Sequence, residues 1–187
     1  PVQFGGGLRD IETVARVLKN GVERAVLGTS AVASPDFLKE ALDKFGDRVV
    51  VSLDAKNGEL AIKGWKEVTD IKAVAFAKEI RAAGMKSVIF TDISRDGMLA
   101  GPNFGSIKEF ARAADMEVTV SGGVATMDHI EHLKAMEKYG IGSVIIGKAL
   151  YTGAIDLKEA VRFASAPLLT SRKERKKKAK RRSRSKK

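Results

Sequence analysis

The chain has 187 residues, a formal net charge of +11 and no cysteine, which excludes disulfides, thiolate metal sites and a cysteine nucleophile and suits a reducing compartment such as the cytoplasm. No apolar run reaches the roughly 18 residues of a membrane span, and no stretch has the pattern of a secretory signal. The charge is local: residues 171–187 hold 12 Lys/Arg and one Glu, leaving 22 basic and 22 acidic residues in positions 1–170.

Taken in chain order, short apolar runs at residues 2–4, 24–27, 49–53, 87–90, 117–120 and 143–146 predict buried parallel strands, each followed by a helical pattern. Ser34-Pro35-Asp36 reads as an N-cap with proline in the first turn of the second helix, and the fourth helix starts near Asn103 or Ser106. Asn57-Gly58, flanked by Ala55 and by Leu60-Ala61-Ile62, predicts a small hairpin inserted after the third strand. After the sixth strand, residues 149–151 predict a short extra helix before a last one over about 156–164.

Two stretches repeat one pattern. Gly5-Gly6-Gly7, a helix and then Val26-Leu27-Gly28 are matched by Gly122-Gly123, a helix and then Ile145-Ile146-Gly147. Each is a strand-helix-strand step whose strands end in glycine, where backbone N–H groups can approach an anion. The pattern recurs after four βα units, as expected of two halves of an eight-strand (β/α)8 barrel of the TIM type. In that phase residues 1–166 hold strands three to eight, an N-terminally truncated barrel whose apolar edges favour self-association. Residues 167–187, without a large apolar side chain in the basic run, predict a disordered tail, and its residues 171–187 the only route to nucleic acid, through phosphates and without base reading. A solvated appendage with no ligand explains that tail as well.

In a barrel the C-terminal strand ends form the functional face. They carry Gly5, Gly6, Gly28, Thr29, Asp54, Thr91, Gly122, Gly123, Gly147 and Lys148. Glycines on opposite sides of the ring, with Asp54 and Thr91 between, suit an elongated substrate with a phosphate at each end. Lys148 and the helix N-termini add positive potential at the second end. Asp54 closes an apolar strand, a poor place for a core residue and a good one for a general acid. Asp96 stands in the loop DISRDGMLAGPN, where Asp96-Gly97 is also a turn signal. Trp65, the only tryptophan, either stacks on a planar substrate ring or packs the hairpin against the sheet. His129 and His132 share a polar helix away from the strand ends, and no metal site is expected from them.

The segments PVQFGGGLRDIETV, RAVLGTSAV, VVVSLDAKNGELAIKGW, FTDISRDGMLAGPN, VSGGV and VIIGKALYTGAIDL together resemble the isomerase of histidine biosynthesis that acts on a phosphoribosylformimino aminoimidazole carboxamide ribotide, over residues 1–163. That resemblance implies a phosphate-binding (β/α)8 barrel and an aldose-to-ketose Amadori rearrangement on a small bisphosphate, with no cofactor. It implies Asp54 as the acid that protonates the furanose oxygen, Thr91 as a hydrogen-bonding group to the sugar, Asp96 as support for its loop and the glycines as phosphate-binding amides. It also places the base that removes the C2 proton on the first barrel strand, which residues 1–187 do not include, so these residues alone are expected to be inactive. The sister cyclase of the pathway is the nearest rival. The stretch GMLAGPN, the segment LGTSAV and Gly64-Trp65 favour the isomerase, and an isomerase that also accepts phosphoribosyl anthranilate remains open at Trp65.

Overall fold

A computed structural model describes residues 1–167. Six parallel strands, β1 (Gln3–Gly5), β2 (Arg24–Leu27), β3 (Val49–Lys56), β6 (Ser87–Asp92), β7 (Glu117–Ser121) and β8 (Ile141–Val144), lie side by side in chain order in one curled sheet. Helices alternate with them: α1 (Ile11–Lys19), α2 (Thr29–Ala33) and α3 (Pro35–Phe45), α4 (Ala73–Ala82), α5 (Phe104–Ala114), α6 (Met127–Ala135), then α7 (Lys148–Tyr151) and α8 (Leu157–Ala164). Among the described residues β1 and β8 are the two edges of this parallel path. The basic run expected to form a tail lies outside the described residues.

The caps fall where short polar side chains were expected to place them. Ser34 accepts from the Phe37 amide with Pro35 in the first turn of α3, and Asn103 accepts from the Ser106 amide at the start of α5. The hairpin also forms. Lys56 pairs with Glu59 around Asn57 and Gly58, both at positive φ, 53° and 82°, the two-residue primed turn that matches strand twist. It is longer than the sequence suggested, because a third antiparallel strand, β5 (Glu67–Lys72), pairs with β4 (Glu59–Ile62). β5 is almost wholly exposed, so no alternation of apolar and polar residues announces it. The sixth parallel strand begins two residues earlier than predicted, at Ile141, with a bulge opposite Val118 and Thr119. Pairing nevertheless continues past its end, since the Ile145 amide donates to the Val120 carbonyl at 2.8 Å.

Alternation sorts the sheet into two faces. Val49, Val51, Leu53 and Ala55 of β3, Val88 and Phe90 of β6, and Val118 and Val120 of β7 are buried against the helices. Phe90 stacks on Phe110 of α5 with ring centroids 4.1 Å apart. The opposite face carries Ser52, Ile89 and Thr119 in one register row and Asp54, Thr91 and Ser121 in the next. The fold thus delivers one polar row, near the C-terminal strand ends, to the concave side.

Candidate active site

Asp54 and Thr91 face each other across the β3–β6 ladder, and Thr91 pairs onward with Ser121. Thr91 is buried and Asp54 half-buried. Both Asp54 oxygens are engaged: Ser52 Oγ donates to Oδ1 at 3.3 Å and Trp65 Nε1 to Oδ2 at 2.8 Å. The indole N–H thus ties the β4–β5 loop to β3. The indole is half-exposed and holds the carboxylate by its N–H edge, with the ring left open above the strand ends. Nothing in the spacing of residues 54 and 65 announces this contact, because it depends on how the β4–β5 loop turns.

That turn is unusual. Lys63, Gly64 and Trp65 all have positive φ, 55°, 67° and 68°, and such a conformation costs a non-glycine residue on the order of 1–3 kcal/mol. The loop is tied down by the Lys63 amide donating to Thr29 Oγ1 at 2.9 Å and by the exposed Lys63–Glu67 ion pair. Thr29 thus spends its hydroxyl on the loop that carries Trp65. It also opens α2, directly after Gly28.

The two glycine turns have the same backbone. Gly6 and Gly7 have φ of 104° and 72°, and Gly122 and Gly123 have 93° and 77°. Gly28 caps α2 at φ −114°, ψ −111°, and Gly147 caps α7 at φ −103°, ψ −101°. In each case the glycine carbonyl accepts at 3.0 Å from the amide three residues on. Gly5 stands apart from this match. It lies in the β1 ladder opposite Val26, where a Cβ would come within 3.0 Å of the Val26 Cβ. The repeat is thus Gly6-Gly7 with Gly122-Gly123, and Gly7 joins the candidate residues because its left-handed backbone, invisible in a run of three glycines, matches Gly123.

The turns differ in what covers them. A Cβ on Gly6 or Gly7 would meet open space, whereas one on Gly122 would come within 2.8 Å of the Asp92 carbonyl oxygen and one on Gly123 within 2.8 Å of that of Gly101. The second turn lies under the loop that follows β6. Asp96, Gly97, Gly122, Gly123, Gly147 and Lys148 line a small recess there, and Lys148 Nζ donates to the Gly97 carbonyl at 3.1 Å. Asp96 therefore sits at the second turn, and Lys148 reaches its loop as well as the recess. Asp92 starts that loop by accepting from the Ser94 amide and hydroxyl at 3.0 and 2.6 Å.

A curled parallel sheet with alternating helices, carrying its polar row and its matched turns at the C-terminal strand ends, defines a partial βα barrel of the enzyme kind. Residues 1–156 match the model of the family described as histidine biosynthesis protein, and the chain belongs to that family. Over 164 residues, 88% of this chain and 68% of the relative, it is 50% identical to the 1-(5-phosphoribosyl)-5-((5-phosphoribosylamino)methylideneamino) imidazole-4-carboxamide isomerase of Acetivibrio thermocellus, and equally to that of Thermoanaerobacter pseudethanolicus. The isomerase of the same description from Gloeobacter violaceus is 44% identical over 164 residues, covering 88% of this chain and 64% of the relative.

Proposed function

We propose that this chain carries the phosphate-binding and acid-catalytic part of an aldose-ketose isomerase, converting a bisphosphorylated aminoimidazole carboxamide ribotide from aminoaldose to aminoketose in histidine biosynthesis. The observation that carries the reading is the pair of glycine turns with one backbone, flanking Asp54 and Thr91. A substrate with a phosphate at each end and its reacting sugar in the middle is the ligand such a site suits. The isomerase names of relatives half identical to this chain support it.

In this reading the amides around Gly6, Gly7 and Gly28 hold one phosphate, and those around Gly122, Gly123 and Gly147 the other, with Lys148 adding charge. Asp54 delivers a proton to the furanose oxygen as the C1–O bond breaks and the glycosylamine nitrogen supplies the electrons of the new Schiff base. Removal of the C2 proton then gives the enolamine, which tautomerises to the aminoketose. Trp65 holds Asp54 Oδ2 while Oδ1 exchanges its longer bond from Ser52 for the sugar, and Thr91 donates or accepts a hydrogen bond there. By the family resemblance the base that removes the C2 proton belongs to the first barrel strand. The six parallel strands correspond in this reading to strands three to eight of the barrel, with the two edges of the parallel path as the seam.

The test joins an N-terminal βαβα segment from a relative to residues 1–187 and follows aldose-to-ketose conversion. Asp54→Asn is expected to lower kcat by about 10²- to 10⁴-fold, the usual contribution of a general acid. Undiminished turnover by that variant would remove Asp54 from the role.

A further inference from the structure

The loop of residues 93–103 carries Asp96 and covers the second glycine turn, yet its far end is held by helix α6. Gly101 has φ of +89° and lies against the His129 imidazole so closely that a Cβ there would stand 3.0 Å from Nε2. On its other side the Gly101 carbonyl packs against Gly123, where a Cβ would meet it at 2.8 Å. His129 Nδ1 accepts from the Ala125 amide at 3.2 Å, within the segment that follows the glycine pair. Phe104, directly after the loop, stacks on His132 at 3.9 Å between centroids and meets His129 edge-on at 6.0 Å. One imidazole therefore touches the glycine-turn segment through a nitrogen lone pair and the loop through its opposite edge.

We propose that His129 is a positioning residue that latches the Asp96 loop onto the Gly122-Gly123 turn, so that an anion ordering the turn also orders the loop. This rests on the reading of that turn as a phosphate cradle. The latch is built for coupling. Nδ1 must keep its lone pair to accept from Ala125, which leaves the proton on Nε2 at the Gly101 side. Gly101 must lack a side chain for the ring to reach its backbone, and Gly123 must lack one for the loop to lie on the turn. Among the described residues the first glycine turn has no counterpart, since none of them comes within 4 Å of a Cβ built on Gly6 or Gly7. The device therefore distinguishes one phosphate end from the other.

Hydrogen exchange on residues 1–187, with and without inorganic phosphate, tests it without requiring turnover. In the wild type, phosphate is expected to slow exchange both at residues 122–125 and at 95–101. His129→Leu fills the space without an acceptor. It leaves the Ala125 amide without its acceptor, so exchange at 125 should rise by about three- to tenfold, the loss of one hydrogen bond; exchange of the loop should rise with it as the imidazole contact to Gly101 goes, and phosphate should still slow exchange at 122–124 while protecting 95–101 less. His129→Asn, whose Oδ1 can replace Nδ1 but whose shorter side chain has no edge to set against Gly101, should restore slow exchange at 125 and leave the loop uncoupled. Gly101→Ala, which drives a methyl group into the imidazole, should uncouple like the Leu variant. Exchange in β6 and β7 should not change in any of them. Loop exchange that is the same in wild type, His129→Leu and Gly101→Ala would overturn the latch. Phosphate that protects neither segment of the wild type would overturn the cradle reading alone, since the difference between variants without ligand still judges the latch.

Discussion

At the scale of single residues, Asp54 is the side chain on which the chemistry turns, and its neighbours determine how well it is aimed. The carboxyl group is clamped from Ser52 on one oxygen and Trp65 on the other. Removing the indole N–H with Trp65→Phe keeps an aromatic ring but frees one oxygen. In the completed barrel it should lower kcat by about tenfold or less, the size of one lost hydrogen bond, with KM changed little. A larger change in KM than in kcat would instead make Trp65 a substrate-stacking residue. The two outcomes separate a Trp65 that holds Asp54 from one that stacks on the substrate. Thr91 is buried beside Asp54 in the ladder, so Thr91→Val, which keeps the shape and removes the hydroxyl, tests it with little disturbance to the strand.

At the scale of elements, the glycine turns and the hairpin are where backbone conformation does what side chains cannot. Gly123→Ala meets both a left-handed φ and the Gly101 carbonyl at 2.8 Å. It should destabilise the chain by about 1 kcal/mol or more, while Gly7→Ala, strained in φ but facing open space, should cost less, as denaturant midpoints can measure. The cap of α1 adds a pH signature. The Thr13 amide, and secondarily its hydroxyl, hold the Asp10 carboxyl below its ordinary value of 3.8. The stabilisation is therefore present above that value and is lost as pH falls through the lower folded one. Asp10→Ala should lower Tm at neutral pH and leave it nearly unchanged in strong acid. Much of this scale was readable from sequence. Ser34 and Asn103 announced their helices, Asn57-Gly58 its turn, and the six apolar runs their strands, because each signal is local. β5 was not readable, since an exposed strand held only by its partner has no hydrophobic period, and neither was the Trp65–Asp54 contact, which depends on three left-handed residues in a row. Which two of the three glycines match Gly122-Gly123 was not readable either, because three adjacent glycines look alike until their φ angles are known.

At the scale of the whole molecule, apolar side chains stand in water at both edges of the parallel path, as they also do on β5 and in the loop after β6. Val2 and Phe4 at β1, Ile145 after β8, and Leu157 and Val161 of α8 are each 44% or more exposed. Edges of this kind pair with other chains. Residues 1–187 are expected to self-associate in size-exclusion runs at micromolar concentration and to do so less once a βαβα segment covers the seam. A monodisperse monomer that melts cooperatively would contradict that expectation. The central claim is that the matched glycine turns bind the two phosphates of one ligand on either side of Asp54. It is tested most directly by titrating residues 1–187 with the bisphosphorylated aminoketose and following both phosphorus resonances by NMR. Both should shift for the wild type, Gly7→Ala should weaken the response of one phosphate and Gly123→Ala that of the other, and Asp54→Asn should leave both intact. A single responding phosphate, or two that respond alike to every glycine variant, would contradict the account.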